Sequence, residues 1–463
     1  MRNAQMIDWR RSAKARKEKD PNIRRGAGGE RTAIVRPNNI PTLVATLSLE
    51  QRRATPIRAL GAGSSATACN TAAGGTLVDM TDLTKVIEHT DDYVRVQAGM
   101  RITELTAVLA ARGQEIPGCL DMPDRTVGGA ITSASFGPSC SSDGALFARN
   151  VIEMTVVTPE GKLIRIDQSR KEHLSVFRMS YGLLGIVAEV TLRVRDERPM
   201  IRRHKKVAFG TFTAEFDRLV DSPLGLKFYL MPFKGLVYTE MRRFDDAGAN
   251  TKRLPWKLKD WGETAVLPSI CGSIKSLVPI SSVRYSLIDQ VQGVGQTLFN
   301  NRLVAEGAAS EETLGSTSSR LPRPTLKYST WCFPAADFGI VVQAYRAFCR
   351  DYYRENKFRC DMPSVGFRLA VDRSALLSPS FEEPMIALRA TSSPHPAWED
   401  FALEYSTFAR QWGGLPIFNQ SVNVEMDYAA EAYGSRLEFF RRTRRQLDPD
   451  NRLLNPFLAQ YFC

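Results

Sequence analysis

Two glycines spaced one residue apart mark the first place where this chain could do chemistry. The stretch Arg58-Ala59-Leu60-Gly61-Ala62-Gly63-Ser64-Ser65 sets them directly before two serines. Glycine lets a backbone approach a ligand closely, and successive N–H groups in such a bend form an anion cradle to which serine hydroxyls add donors. A pyrophosphate suits that cradle. The loop also fits G-x-G-x-x-A, the strand–turn–helix fingerprint of dinucleotide binding, with Asp79 and Asp82 downstream. That fingerprint needs a full helix packed on its sheet. Ser64 to Ala73 is small and polar, and Gly74-Gly75 follows before any apolar face develops. The reading is therefore an anion loop without the helix, with an ordinary turn as the plain alternative.

Two further loops share the character. Pro117-Gly118 precedes Asp124-Arg125-Thr126-Val127-Gly128-Gly129-Ala130-Ile131-Thr132-Ser133. There the glycine pair admits a flat ring or a phosphate, and Thr126, Thr132 and Ser133 supply neutral donors. Tyr181-Gly182-Leu183-Leu184-Gly185-Ile186-Val187 is a glycine turn that feeds a strand. Three such loops point to one long, polar, planar ligand held largely by main-chain groups.

The elements that must position these loops are short and alternating. Helices are predicted over 42–47 and 103–113, the second with Leu105, Val108 and Leu109 on one face and Gly113 at its C-terminus. Strands are predicted over 76–80, 93–97 and 187–194. Thr158-Pro159-Glu160-Gly161 joins 152–157 to 162–166 as a hairpin. This pattern indicates an α+β fold rather than a doubly wound sheet. After Pro199 aromatics increase. Strands are predicted over 327–334, 365–371 and 385–390, and helices over 341–353 and 398–412. Glu306 to Ser319 is polar and reads as an exposed loop. Asp427 to Leu447 is predicted as one helix capped by Asp427.

The bulk numbers bound the class. With 463 residues, 43% apolar and 24% charged, the chain suits two or three globular domains. Lys+Arg total 62 against 50 Asp+Glu, a net charge of +12. The excess gathers in residues 1–26, read as a basic flexible tail, and in Arg441-Arg442-Thr443-Arg444-Arg445. No nucleic-acid module with interleaved aromatics accompanies it, so no specific nucleic-acid partner is expected. Eight scattered cysteines lack metal-ligand spacing, and the four histidines lie in turn or charged contexts away from the glycine loops. No metal is expected. The basic N-terminus lacks an apolar signal core, and no run reaches membrane-spanning length. The expected compartment is cytoplasmic, with no integral membrane segment.

The three loops together resemble the vanillyl-alcohol-oxidase or PCMH-type FAD-linked oxidoreductase family, most of all its aldonolactone oxidase branch. The resemblance covers residues 33–200 and returns in Leu447-Asp448-Pro449-Asp450-Asn451-Arg452-Leu453-Leu454-Asn455-Pro456-Phe457-Leu458. It implies a two-subdomain FAD-binding domain over 27–200, an α+β substrate or cap domain over 201–425, and a C-terminal segment, 426–463, that returns to the FAD domain. It implies FAD contacts from Gly61, Ala62, Gly63, Ser64 and Ser65 at the pyrophosphate. Pro117, Gly118, Thr126, Val127, Gly128, Gly129, Thr132, Ser133, Gly185, Ile186 and Val187 would wrap the rest of the cofactor.

The departures from the family pattern carry chemistry. Where members place a flavin-linking histidine stands Ser64, which implies non-covalent FAD. Cys119 is the other nearby nucleophile, and its spacing does not fit a link. The family's E-x-R strand reads Gly366-Phe367-Arg368, so Arg368 is left as the candidate catalytic cation. The terminal P-H-W-x-K reads Pro416-Ile417-Phe418-Asn419-Gln420, which puts Gln420, neutral, where a lysine would steady reduced flavin. Tyr328, Tyr405 and Glu425 are alternative acids or bases. The implied activity is FAD-dependent oxidation of an alcohol, lactone or secondary-metabolite scaffold by hydride transfer, with molecular oxygen or another acceptor taking the electrons. The rival readings are a decaprenylphosphoryl-ribose-oxidase-like sugar oxidase and a flavin-binding protein with little turnover.

Overall fold

The computed structural model describes residues 23–25, 31–118, 120–121, 124–244, 258–259, 261–299, 306–309 and 326–463. The basic tail through residue 22 and Cys119 lie outside them.

Sheet I orders its strands Ile23–Arg25, Arg31–Val35, Thr76–Asp79, Ile57–Leu60. The last three run parallel. Helix Ile40–Leu47, capped by Asn39, makes one crossover and buries Leu43 and Leu47. The other crossover is the glycine loop. Its only helical piece is a short 3-10 turn at Ala68–Asn70, as the small, polar sequence after Gly63 requires.

Sheet II is antiparallel: Val86–His89, Tyr93–Gln97, Ile186–Arg193, Val151–Val157, Leu163–Asp167. Val94, Val96, Met154, Val156, Val190 and Leu192 turn inward and meet Ile102, Leu105 and Leu109 of helix Ile102–Ala110 and Val127 and Ile131 of helix Val127–Thr132. Burying one such aliphatic side chain contributes roughly 1.5–3 kcal/mol.

Sheet III has eight strands in the order Glu306–Ala309, Met200–Ala208, Leu236–Phe244, Gly225–Met231, Ser364–Leu369, Met385–Ser392, Lys327–Pro334, Leu415–Pro416, all antiparallel. Strand side chains alternate between faces. One face, with Phe228, Trp331, Phe333 and Leu388, is packed by helices Phe338–Asn356 and Trp398–Gln411. On the other, Cys332, Phe367, Leu369 and Ala387 meet Ala134, Phe136, Leu146 and Met179 from the N-terminal half.

The C-terminal motif is tied to sheet I. Asp448 accepts the amides of Arg452 and Leu453, Arg452 donates to Leu47 O, and Asn455 Nδ2 donates to Ala68 O and Thr71 O. Arg58, buried, donates to Cys69 O, Tyr181 O, Gly182 O and Leu453 O. Burial pushes its pKa down to about 10.

Two sequence expectations are corrected. The helix over 427–447 is two helices, Met426–Tyr433 and Ser435–Leu447. Gly434 (φ 52°, ψ −135°) breaks it, and the first N-cap is Glu425, not Asp427. The polar stretch from Glu306 begins as an edge strand, Glu306–Ala309, paired with Met200–Arg203; residues 310–319 lie outside the described residues. Helices Leu267–Leu277 and Ser281–Thr297 were not anticipated. His204 stands in a charged context, as expected: it is buried on sheet III, 3.0 Å from Glu240 Oε2 and from Lys259 Nζ, and burial lowers its pKa.

Candidate flavin site

The glycine bend follows directly from strand Ile57–Leu60. Gly61 has no room for a side chain, since a Cβ there would lie 2.2 Å from Thr126 Oγ1. Gly63 takes φ 67°, the left-handed region that favours glycine. Among the described residues, none accepts a hydrogen bond from the amides of 61–65; the first engaged amide is that of Ala66, which donates to Asn419 O at 3.0 Å. Half-buried amides without protein partners are the donors an anion needs.

The second loop mostly looks after itself. Thr126 Oγ1 caps helix Val127–Thr132 by accepting from Gly129 N. The Gly128 amide donates to Ala98 O at 2.8 Å, and a Cβ on Gly128 would lie 2.9 Å from Ala98 Cβ, so this glycine serves close packing. The Thr132 and Ser133 hydroxyls donate to Gly128 O and Gly129 O within their own helix. Pro117 O accepts from Asn150 Nδ2, and Gly118 N donates to Asp143 Oδ2. At the third loop, a Cβ on Gly185 would meet Val156 Cγ1 at 2.4 Å, and Ile186 and Val187 are buried in apolar clusters.

Sheet III supplies the facing wall. Tyr328 Oη donates to Ser64 O at 2.6 Å. Segment 416–421 enters between the loops. Thr67 Oγ1 donates to Phe418 O, and Gln420 Nε2 donates to Ala134 O at 2.9 Å. Gln420 Oε1 accepts from Thr330 Oγ1 at 3.1 Å. Asn419 Oδ1 is buried with no partner among the described residues. A buried acceptor without a donor is costly and marks a place for a ligand donor. Five uncommitted amides, a glycine whose side-chain space is filled and an orphaned acceptor on the adjoining segment fit FAD.

Arg368 and Gln420 are not brought together. Arg368 shares the helix-covered face of sheet III with Gly366, whose Cβ would overlap the Phe228 ring. Its guanidinium donates to Ser222 O, Leu224 O and Ser141 Oγ. The face turned to the glycine loops carries Lys227, Val365, Phe367, Arg389 and Thr330 instead, with Lys227 paired to Phe367, Val365 to Arg389 and Arg389 to Thr330. Arg389 is buried and donates to Asp121 and, through Nε at 3.3 Å, to Thr330 Oγ1. Lys227 Nζ lies 3.2 Å from the other Asp121 oxygen. Burial alone raises the pKa of Asp121, but Arg389 and Lys227 outweigh it and hold the carboxyl well below its ordinary range. Arg125, 5% exposed, donates to Ala134 O and Ser135 Oγ and meets the Tyr328 phenol. Burial raises the pKa of Tyr328, against the pull of Arg125 and Arg389. Of these residues the sequence had marked Tyr328 alone as a candidate acid or base. Tyr405, on the buried side of helix Trp398–Gln411, donates to Leu388 O, and Glu425 is an exposed partner of Arg410.

Comparison with known proteins agrees with this geometry. The model of the family described as FAD binding domain matches residues 32–167. The L-gulono-1,4-lactone dehydrogenase of Mycobacterium tuberculosis is 26% identical over 220 residues, 46% of this chain and 50% of that protein. The D-arabinono-1,4-lactone oxidase of Kluyveromyces lactis is 23% identical over 197 residues, 41% of this chain and 36% of that protein. The chain thus spans half or less of the curated relatives it matches. Cholesterol oxidase from B. sterolicum superposes with a TM-score of 0.76 at 13% identity, covering 96% of this chain and 97% of that one. No helix among the described residues is long and apolar enough to cross a membrane. Residues 32–167 thus match the FAD binding domain model, and the chain shares the fold of cholesterol oxidase from B. sterolicum.

Proposed function

We propose that this protein is an FAD-dependent oxidase or dehydrogenase that oxidises an alcohol, a lactone or a related secondary-metabolite scaffold. The reading divides the chain into a flavin domain over 27–200, a cap over 201–425 and a returning C-terminal segment over 426–463, and places the protein in the cytoplasm. The observation that carries it is the row of uncommitted amides at 61–65 facing a polar cap wall through the Tyr328–Ser64 contact. When bound, FAD supplies the two-electron chemistry. The chain's own residues bind and orient. The amides of 61–65 take the pyrophosphate, Thr126 and Gly129 border it, and Gln420 fixes the Ala134 carbonyl beside segment 416–421. Molecular oxygen or another acceptor reoxidises the enzyme.

Attachment is non-covalent in this reading, because Ser64 offers no imidazole at the family's linking position. Purified protein should be yellow, and acid precipitation should release all of the colour to the supernatant. Flavin retained in the pellet sinks the non-covalent assignment; a colourless chain that takes up no added FAD sinks the whole reading. The Arg368 guanidinium is spent on Ser222 O, Leu224 O and Ser141 Oγ, away from the glycine loops, so Arg368→Gln should change stability more than turnover.

A further inference from the structure

On the wall opposite the glycine bend, two cations share one carboxylate among the described residues. Arg389 and Lys227 converge there on Asp121. Its two oxygens are divided, one to each of Arg389 and Lys227. Arg389 also reaches Thr330, whose hydroxyl donates to Gln420. The Arg389 guanidinium lies over the rings of Tyr328 and Phe367, at 5.3 and 5.4 Å, so it is held flat and dry. Burying cations without matching anions is unfavourable unless a ligand supplies the missing charge.

Resting on the flavin reading above, we propose that the substrate carries an oxyanion, a carboxylate or a phosphate monoester, which binds to Arg389 with Lys227. Neutral sugar lactones are then poor ligands. Asp121 draws on the same two cations, and the substrate anion joins it there. A planar guanidinium with parallel N–H groups matches either oxyanion.

The test uses the FAD-loaded protein and reads the flavin absorbance difference spectrum, which needs no turnover. FAD stoichiometry is measured first, so that failure to hold flavin is scored against the flavin reading alone. Benzoate and phenyl phosphate are compared with the neutral benzamide and benzyl alcohol. At least one anion should bind about tenfold or more tightly than the neutral probes, and which one does so separates carboxylate from phosphate. Arg389→Gln should weaken the anion about tenfold or more and leave benzamide unchanged. Asp121→Asn, which removes the competing carboxylate, should tighten the anion, an effect that damaged folding cannot mimic. Equal binding of charged and neutral probes, no binding by either anion, or no tightening in Asp121→Asn overturns the proposal.

Discussion

Gly61→Ala is the most direct probe of the glycine bend, because the structure states what the added methyl meets. A Cβ at residue 61 would lie 2.2 Å from Thr126 Oγ1 and 3.3 Å from both Thr126 Cβ and Cγ2. The first distance is far inside contact, so either the bend or Thr126 must move. Turning the Thr126 hydroxyl away breaks its hydrogen bond from Gly129 N and uncaps helix Val127–Thr132, a loss of about 1 kcal/mol. The residual crowding against Cβ and Cγ2 adds about 1–3 kcal/mol of overpacking strain. The variant should therefore lose roughly 2–4 kcal/mol of stability, read by urea denaturation, and hold FAD more weakly. Thr126→Ala removes the offending oxygen and should cost only about 1 kcal/mol. In that background Gly61→Ala should add less than about 1 kcal/mol, because the two residues share one contact. Strict additivity of the two substitutions, or Gly61→Ala with unchanged stability and flavin affinity, refutes the packing argument.

Three other outcomes follow from particular contacts. Gln420→Leu removes one donor from Ala134 O, which Arg125 still serves, and leaves the Thr330 hydroxyl without its acceptor, and should destabilise by about 1–3 kcal/mol in denaturant melts. Gly434→Ala forces a side chain into φ 52°, ψ −135°, and should lower stability by about 1–3 kcal/mol even though its Cβ would meet no other atom within 4 Å. Asp121→Asn breaks a largely buried ion pair and should cost about 3 kcal/mol at neutral pH. Because the folded-state pKa of Asp121 is depressed, its contribution is present above the ordinary carboxylate pKa and fades as pH falls through the lower folded value. The stability gap between wild type and Asp121→Asn should be flat above about pH 5 and close at lower pH; a gap that widens on acidification contradicts the assignment.

Much of the fold was legible because it is local. Tyr93–Gln97 and Lys327–Pro334 are strands over the residues that alternation and β-branching predict. The hairpin closes through Gly161 N to Thr158 O, as Pro159 and Gly161 suggest. The absence of a long helix after the glycine bend was also readable, since nothing between Ser64 and Gly75 offers an apolar stripe. What misled was continuity. The apolar stripe from Tyr433 to Leu447 survives the break at Gly434, because helices Met426–Tyr433 and Ser435–Leu447 bury residues in the same core. Glu306–Ala309 has no strand composition; pairing with Met200–Arg203 places it on the sheet edge.

The wall formed by sheet III shows why function is harder to read than fold. A motif on a strand fixes the spacing of two side chains but not the face they occupy. Gly366-Phe367-Arg368 and Val365-Gly366-Phe367 are one residue apart, and a one-residue difference exchanges the two faces. The faces are set by remote partners. Phe228, Phe338 and Phe216 pack into one another beneath Gly366. Phe136 from the N-terminal half packs against Phe367 on the other side. Once those aromatic contacts fix the strand, Arg368 turns to the face opposite Phe367, where it donates to Ser222 O, Leu224 O and Ser141 Oγ. The cation that looks toward the glycine loops then comes from the neighbouring strand, as Arg389, directly across from Thr330. Exchanging the charges between faces tests this directly. Arg389→Leu should abolish the difference between charged and neutral probes at the flavin, whereas Arg368→Leu should lower stability and leave that difference intact. If Arg368→Leu alone erased the charge preference, the face assignment, and with it the placement of the site, would be wrong.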